Sequence, residues 1–363
     1  MIRIKKDNNF VSMFDDKTGM YVRSDVIENG KNTGREAFKA SFPELIDVGI
    51  MGHCLHGRTG LCLQAGVECY QDGLHSSKSN MTLEDFRRIA KECHGKTFQF
   101  ALGGAGDPDQ HECFEEILKT CREYNIVPNF TTSGFGMTKE VAELCRKYCG
   151  AVAVSWYRSQ YTWNAINLLV EAGVKTNIHY VLMRNTVKEA YERLQNNDFP
   201  SGINAIVFLL HKPVGLGKRE NMITKDNEIF RDMLHMIDTR VWEYKIGFDS
   251  CSVPAIISDK SNIDIDSLDT CEGARWSAYI SADMKMMPCS FDNRNERWAV
   301  DLRDNSIMSA WNSAAFETFR EHFRNACPEC NKREQCMGGC PICPEIVLCQ
   351  NKKEELAFRN VTK

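Results

Sequence analysis

Three cysteines on one loop offer the first chemistry in this chain: Cys54, Cys62 and Cys69, in the spacing C-x7-C-x6-C. The loop follows an apolar run at 45–50 that predicts a buried strand. Three thiolates can hold three irons of a cubane cluster, and the fourth iron then stays open to chelate a small molecule. The alternative is three unrelated cysteines in a glycine-rich loop, and the rest of the chain must decide between the two.

A second set of cysteines lies near the C-terminus in the spacing C-x2-C-x5-C-x3-C, at Cys327, Cys330, Cys336 and Cys340. Cysteines this close in sequence can share one metal centre without long intervening loops. Tetrahedral zinc is the main alternative, because a C-x2-C pair also suits that ion. Nine of the 17 cysteines follow position 250, which is more than one zinc ion needs, whereas two four-cysteine centres use eight.

Composition restricts the class of partner and the compartment. The 363 residues carry a formal net charge of −4, which favours neither nucleic acid nor an anionic membrane as a partner. No apolar run approaches the ~18 residues of a transmembrane helix, and the start of the chain lacks the apolar core of a signal peptide. We therefore predict a cytoplasmic protein. In that reducing compartment, so many cysteines indicate metal centres rather than disulfides.

From residue 43 to about 247, short apolar runs alternate with amphipathic helical patterns in six strand–helix units. Such alternation predicts an α/β fold with a parallel sheet, outer helices, and sites at the carboxyl ends of the strands. Before residue 43, two short apolar runs flank a polar turn at residues 16–19 and predict a β-hairpin. We therefore predict three regions, with a short helix at 352–359 in the last: an N-terminal hairpin at 1–42, the α/β domain at 43–247 and a cysteine-rich domain at 248–363.

A glycine loop after the second predicted strand contains Gly103, Gly104, Gly106 and Asp107. Glycines at such a turn expose backbone N–H and C=O groups to a ligand, and an ordinary βα turn capped by the aspartate is the alternative. Three other polar residues end predicted strands: Ser133, Ser155 and Arg184. These are weaker candidates, since a polar residue at a strand end more often belongs to a turn or faces solvent.

Other chemically capable side chains receive simpler interpretations. His211 and Lys212 follow the sixth predicted strand and could face a substrate. His53 and His56 lie beside Cys54, and we expect them to have no role there. The cysteines on predicted helices are expected to be small buried hydrophobes: Cys93, Cys113, Cys121, Cys145 and Cys149.

Taken together, the cysteine loop, the glycine loop and the C-terminal cysteine spacing resemble the radical SAM enzymes that carry a SPASM domain. The resemblance runs from about residue 43 to Cys349, and Cys271 and Cys289 resemble the start of a SPASM domain. It implies a partial (β/α)6 TIM-like barrel followed by a small cysteine-rich C-terminal domain. One departure is the first cysteine motif, because radical SAM enzymes usually have C-x3-C-x2-C and both gaps here are about four residues longer. A longer flexible loop costs only about 0.6 kcal/mol of closure entropy per doubling of its length.

The resemblance also implies cofactors and the residues that bind them. Cys54, Cys62 and Cys69 would hold the catalytic [4Fe–4S] cluster, which binds S-adenosylmethionine. That ligand would be held by the glycine loop and the strand ends: Gly103, Gly104, Gly106, Asp107, Ser133, Ser155 and Arg184. Two auxiliary [4Fe–4S] clusters would take eight more cysteines: Cys251, Cys271, Cys289 and Cys340 for the first, and Cys327, Cys330, Cys336 and Cys349 for the second. Cys343 is the alternative to Cys349, and without Cys251 the first auxiliary cluster would have an open iron.

The activity that the resemblance implies is cleavage of S-adenosylmethionine to a 5′-deoxyadenosyl radical, which abstracts hydrogen from a peptide or protein side chain. Ribosomally made peptides are the commonest substrates of such enzymes. A small-molecule substrate is the second hypothesis, and a non-catalytic zinc or ferredoxin-like binding protein is the third. The expected partners are the peptide and an electron donor such as flavodoxin or ferredoxin. The edge of the N-terminal hairpin is the expected docking place for an extended peptide.

Overall fold

The computed structural model describes residues 1–258, 263 and 267–349 of the chain. The helix predicted at 352–359 lies outside the described residues. Across the described ranges, no helix is long and apolar enough to cross a membrane.

The N-terminal region contains five short strands: β1 (Ile2–Lys6), β2 (Val11–Asp15), β3 (Tyr21–Arg23), β4 (Ile27–Glu28) and β5 (Lys31–Asn32). β1, β2 and β3 form one antiparallel sheet, and β4 and β5 form a separate pair. The pairing of β2 with β3 confirms the hairpin predicted around residues 16–19. β1 is an additional strand, paired along the other side of β2.

Seven parallel strands form the barrel wall: β6 (Leu45–Met51), β7 (Gln99–Gly104), β8 (Val127–Thr132), β9 (Val152–Ser155), β10 (Thr176–Leu182), β11 (Ala205–Leu210) and β12 (Lys245–Phe248). Their helices are α1 (Leu55–Thr59), α2 (Leu61–Gln64), α3 (Leu83–Cys93), α4 (Phe114–Glu123), α5 (Lys139–Tyr148), α6 (Gln160–Glu171), α7 (Val187–Asn196) and α8 (Glu228–Thr239). Each strand pairs in parallel with the next. The predicted α/β fold with a parallel sheet is confirmed, and β12 extends it beyond the six predicted units.

The C-terminal part continues the same sheet. Its elements are α9 (Val253–Ser258), β13 (Ser277–Ile280), β14 (Lys285–Met287), β15 (Val300–Asp301), α10 (Ile307–Trp311), α11 (Ala314–Asn325) and α12 (Arg333–Cys336). β13 pairs in parallel with β6, and β14 and β15 follow in antiparallel register. The boundary predicted near residue 248 falls at the end of β12. It stays a prediction, because strands from both sides of that point share one sheet.

Strand alternation decides which side chains face the helices and which face the barrel interior. In β6, the buried Ile46 and Val48 alternate with Asp47. Asp47 lies in register with Ala101 of β7, which lines the interior. On the outer face, α3 begins at its N-cap Thr82 and packs Phe86 against Phe100 of β7, with ring centroids 5.9 Å apart. Small and polar residues therefore point inward and leave space inside the barrel.

The N-terminal sheet closes the barrel at the amino ends of its strands. A cavity of about 360 Å³ lies there, between Thr18 of the β2–β3 turn and inward-facing side chains such as Asn129 and His179. The Lys175 ammonium, just before β10, donates to the backbone carbonyl oxygen of Thr18 at 2.6 Å. The β2–β3 turn therefore lies at the opposite end of the barrel from the cysteine loop, which leaves the carboxyl end of β6.

Candidate cofactor-binding site

The cysteine loop leaves β6 and folds into two short helices, α1 and α2, which the sequence did not predict. Cys54 is the N-cap of α1, and its Sγ accepts a hydrogen bond from the backbone N–H of Gly57 at 3.0 Å. Cys69 Sγ accepts a longer one from the N–H of Gly73 at 3.5 Å. Hydrogen bonds from backbone N–H groups to cysteine sulfur are a way in which proteins hold and tune iron–sulfur clusters.

The three thiols of this loop lie within electrostatic reach of one another. Burial raises the pKa of the Cys54 thiol to about 11, and the charges of Asp107, Cys69 and Cys62 add to that rise, while the Gly57 N–H opposes it. Such thiols lose their protons readily when a metal binds them. In the part of the chain that the structure describes, no three His, Cys, Asp or Glu side chains converge as ligands of a single metal ion. A [4Fe–4S] cluster takes one thiolate per iron and does not need that convergence.

Glycines let the glycine loop and the cysteine loop approach each other closely. A Cβ at Gly106 would lie 2.3 Å from the carbonyl oxygen of His53, and one at Gly73 would lie 3.0 Å from Cys54 Cβ. Gly104 adopts φ = +117°, which favours glycine. At Gly103, by contrast, an added Cβ would meet nothing within 4 Å. The glycine loop therefore packs its backbone tightly against the cysteine loop and leaves an open space beside Gly103.

Asp107 and Ser133, which the sequence placed at two different strand ends, are brought together. Asp107 Oδ1 accepts a hydrogen bond from the Ser133 backbone N–H, and Oδ2 accepts one from the Ser133 hydroxyl, each at 2.6 Å. Ser155 is partly buried at the end of β9. Arg184 follows β10 with an exposed side chain and lies outside this buried group. Its role as a ligand of a carboxylate stays a prediction without support from its position.

His56 is packed among aromatic side chains, which the sequence did not predict. Its ring is buried and stacks between Phe135 and Tyr157, with centroid distances of 5.0 and 5.8 Å. The Tyr161 hydroxyl lies 2.9 Å from His56 Nε2. These contacts give His56 a place in the packing beside Cys54, and the expectation that it has no role at a cluster stays a prediction. A signal was available in the sequence, because aromatic residues follow both Ser133 and Ser155 within two positions.

The segment after β11 holds the long cysteine loop in place. The Glu68 carboxylate accepts a hydrogen bond from the Lys218 backbone N–H at 2.8 Å, and the same carboxylate lies 3.3 Å from His211 Nε2. The carbonyl oxygen of Cys69 accepts a hydrogen bond from the Leu216 N–H at 2.9 Å. A Cβ at Gly215 would lie 2.4 Å from the carbonyl oxygen of Tyr70. His211 therefore contacts the cysteine loop itself, and the extra length of the loop is ordered by this segment.

The four cysteines predicted for the first auxiliary cluster lie together, as their mutual effects on pKa indicate. A hydrogen bond with Cys340 and burial raise the pKa of the Cys251 thiol. Burial, followed by the charge of Cys251, raises the pKa of Cys271 to about 12. Burial, followed by the charges of Cys271 and Cys251, also raises the pKa of Cys289. Cys251 lies with the other three, so its position supports its membership, which stays a prediction.

The four cysteines predicted for the second auxiliary cluster also lie together. Burial raises the pKa of Cys336, and the charges of Cys349, Cys327 and Cys330 add to the rise. Gly338, at φ = +83°, makes the tight return after Cys336. Cys343, the alternative to Cys349, is buried beside Cys340 instead and donates its backbone N–H to the Cys340 sulfur at 3.4 Å.

The cysteine loop is joined directly to the C-terminal region. The ring of Tyr70 packs against the ring of Phe291, with centroids 4.7 Å apart. The Asn293 side chain donates a hydrogen bond to Gln71 Oε1 at 2.8 Å. Tyr70 and Gln71 directly follow Cys69, and Phe291 follows Cys289 by two residues. The two predicted cluster sites are therefore linked by side chains that neighbour their ligands in sequence.

The cysteines on the outer helices behave as predicted in three cases. Cys93, Cys121 and Cys145 are fully buried in the core, whereas Cys113 and Cys149 are partly buried. The prediction of small buried hydrophobes is therefore confirmed for Cys93, Cys121 and Cys145. It does not hold for Cys113 and Cys149.

Comparison with known proteins gives one domain match and several matches of fold. Residues 271–337 match the family model of SPASM, an iron–sulfur cluster-binding domain. Among curated proteins, none matches this chain. The crystal structure of Streptococcus suis SuiB matches with a TM-score of 0.69 and 14% identity, covering 96% of this chain and 98% of SuiB.

Two further matches carry bound peptides. SuiB bound to the precursor peptide SuiA matches with a TM-score of 0.67 and 13% identity, covering 94% of this chain and 96% of that one. Native anSMEcpe with bound AdoMet and the Cp18Cys peptide matches with a TM-score of 0.58 and 16% identity, covering 87% and 94%. At these identities the likeness is one of fold. Residues 271–337 thus match a SPASM iron–sulfur cluster-binding domain, and the chain as a whole shares the fold of SuiB and anSMEcpe.

Proposed function

We propose that this protein is a radical SAM enzyme that abstracts hydrogen from a side chain of a peptide or protein. The observation that carries the proposal is the meeting of two loops at the carboxyl ends of the strands. There, Asp107 acts electrostatically on the thiols of Cys54 and Cys62. Cys69 acts on Cys54 in turn, and Ser133 donates hydrogen bonds to both carboxylate oxygens of Asp107. Sites of parallel α/β folds collect at this end of the sheet. The SPASM match at 271–337 adds the expectation of further iron–sulfur clusters.

Each group of residues has a task in this proposal. Cys54, Cys62 and Cys69 hold the catalytic cluster, and the open space beside Gly103 receives S-adenosylmethionine. When bound, the cluster and S-adenosylmethionine together supply a 5′-deoxyadenosyl radical. The chain itself orients these groups through the Asp107–Ser133 pair and excludes water with the rings around His56.

A peptide is the proposed substrate because two matched structures of the same fold hold peptides. SuiB is bound to its precursor peptide SuiA, and anSMEcpe is bound to the Cp18Cys peptide. An electron donor such as flavodoxin or ferredoxin and a cytoplasmic location complete the proposal.

Iron content and S-adenosylmethionine cleavage test this function together. If three [4Fe–4S] clusters form on the eleven assigned cysteines (three plus four plus four), the anaerobically reconstituted protein carries about twelve irons. Replacing Cys54, Cys62 and Cys69 with alanine should remove about four of these irons and abolish 5′-deoxyadenosine formation with dithionite. Cleavage that persists in this variant would place the catalytic cluster elsewhere.

A matched control uses cysteines of the core. Cys93→Ala and Cys121→Ala change buried helical thiols outside the predicted cluster sites, so both should keep the full iron content and the cleavage activity. If a peptide is left unmodified while a small metabolite is turned over, the substrate part of the proposal is wrong and the radical chemistry stands.

A further inference from the structure

A buried lysine lies beside the cysteines predicted for the first auxiliary cluster. The Lys212 side chain is only 1% exposed. Its ammonium donates to the Leu210 carbonyl oxygen at 2.9 Å and to Asp249 Oδ2 at 2.8 Å. It also lies 4.4 Å from the centroid of the Phe291 ring. A buried ammonium is costly unless it is paired and hydrogen-bonded. Here Asp249 supplies the paired charge, and the Leu210 carbonyl supplies a second hydrogen bond.

The contacts of Lys212 connect the two predicted cluster sites. On one side, Phe291 packs against Tyr70, the residue after Cys69. On the other side, Asp249 precedes Cys251 by two positions, and its carboxylate also accepts a hydrogen bond from the Leu210 backbone N–H at 3.1 Å. Lys212 therefore stands between the cysteine loop and the first auxiliary set.

Lys212 and Asp249 carry opposite charges, so the sign of their combined effect on a cluster beside them depends on which charge is less compensated. Both oxygens of the Asp249 carboxylate are engaged by hydrogen-bond donors: Oδ2 by the Leu210 N–H and Lys212, and Oδ1 by the Ser252 hydroxyl at 2.9 Å. These donors offset the negative charge of Asp249, so the positive charge of Lys212 dominates the pair. Arg275 is a second cation of the set and acts on Cys271, but its guanidinium is hydrogen-bonded to Phe38 and Thr270, away from the cysteine loop.

We propose that Lys212 is a positioning residue for electron transfer, which raises the reduction potential of the cluster held by Cys251, Cys271, Cys289 and Cys340. The inference rests on the proposed function, because it needs that cluster to form. An iron–sulfur cluster gains negative charge on reduction, so a fixed buried cation stabilises the reduced state. Low exposure to water keeps the attraction strong. Lys212 thereby favours arrival of an electron at this cluster from the side of the cysteine loop.

The test compares midpoint potentials of the reconstituted holoenzyme, followed by electron paramagnetic resonance during a redox titration. Lys212→Gln keeps a hydrogen-bonding group but removes the charge, and it should shift one auxiliary potential downward. Asp249→Asn removes the opposing charge and should shift the same potential upward. Lys212→Arg should keep the potential near that of the wild type. A residue that matters only for packing does not produce shifts of opposite sign.

Lys119→Met serves as the control, because Lys119 is a partly exposed residue of α4 that pairs with Glu115, and it should leave all potentials unchanged. Equal potentials in the wild type, Lys212→Gln and Asp249→Asn would overturn the inference, while continued cleavage of S-adenosylmethionine would leave the proposed function intact. If Lys212→Gln does not fold, Asp249→Asn provides the test. An auxiliary midpoint potential that does not rise in Asp249→Asn then overturns the inference. A wild-type protein that binds only the cluster of the cysteine loop overturns it as well, and that result shows in the iron content.

Discussion

Both carboxylate oxygens of Asp107 accept hydrogen bonds from Ser133, which ties the end of β7 to the end of β8. Burial raises the pKa of the Asp107 carboxyl, and the two Ser133 hydrogen bonds oppose this rise. The pair fixes the glycine loop relative to the next strand. It also means that Asp107 meets any ligand with its oxygens already partly engaged.

Ser133→Ala tests the importance of this pair for ligand binding. The variant removes the hydroxyl donor and keeps the backbone donor, so the carboxylate loses one of its two strong partners. Hydrogen bonds to charged groups contribute about 1.5–3 kcal/mol, and we expect S-adenosylmethionine to bind about tenfold or more weakly. Equilibrium dialysis of the reconstituted protein measures this affinity. Thr138→Ala, which changes an exposed helix cap, should bind as the wild type does.

The last ligand of the second auxiliary set is testable by iron content. Cys349 acts on Cys336 electrostatically, whereas Cys343 lies buried beside Cys340. We therefore expect Cys349→Ala to lose iron from one cluster, up to about four irons. Cys343→Ala should keep the full iron content and lose only packing. Iron loss that is larger in Cys343→Ala than in Cys349→Ala would reverse the assignment.

His56→Ala probes the aromatic packing beside Cys54. The change removes a ring that stacks on Phe135 and Tyr157 and frees the Tyr161 hydroxyl. Such ring pairs contribute about 0.5–1.5 kcal/mol each beyond buried area, so we expect a lower thermal midpoint and faster loss of iron to a chelator. His56→Phe keeps the stacking and should recover most of both. His53→Ala, in the same loop but only partly buried, is the matched control, and an equal effect there would contradict a specific role for His56.

The barrel could be predicted because strong local patterns define it. α5 (Lys139–Tyr148) begins after the capping residue Thr138. In β10 (Thr176–Leu182), fully buried residues alternate with partly buried ones. The helices of the cysteine loop escaped prediction because they are four and five residues long. Their stability comes from contacts with distant segments, which no local pattern reports.

The site could be predicted in part for the same reason. Cysteine spacing and the glycine loop are local signals, whereas the burial of His56 depends on rings from two other strand ends. The N-terminal hairpin was predicted correctly, but its place in the fold was not predictable from its own residues. Its turn contacts Lys175 at the amino ends of the strands. A peptide docked along that turn would therefore lie at the wrong end of the barrel for the cysteine loop.

Asp47 gives a prediction about pH, because its carboxyl lies inside the barrel on β6. Burial, and to a smaller degree the charge of Glu272, raise its pKa from 3.8 to about 7. The folded protein therefore keeps this proton up to about pH 7, whereas the unfolded chain releases it near pH 4. Between about pH 4 and pH 7, unfolding therefore releases a proton from Asp47, and the free energy of unfolding falls as the pH rises. Above pH 7 the loss levels off at about 4 kcal/mol.

Asp47→Asn should consequently be more stable than the wild type, and its advantage should grow from pH 6 to pH 8 and then level off. Thermal midpoints of the two reconstituted proteins at several pH values measure this difference, in which other titrating groups cancel. Asp283→Asn is the control with the opposite sign, because hydrogen bonds from Lys78 and Ser281 outweigh the effect of burial and lower the pKa of Asp283. Removing that carboxylate should destabilise the protein at pH 6 and pH 8 alike. An advantage of Asp47→Asn that stays constant or shrinks with rising pH would mean that Asp47 finds a compensating partner inside the barrel.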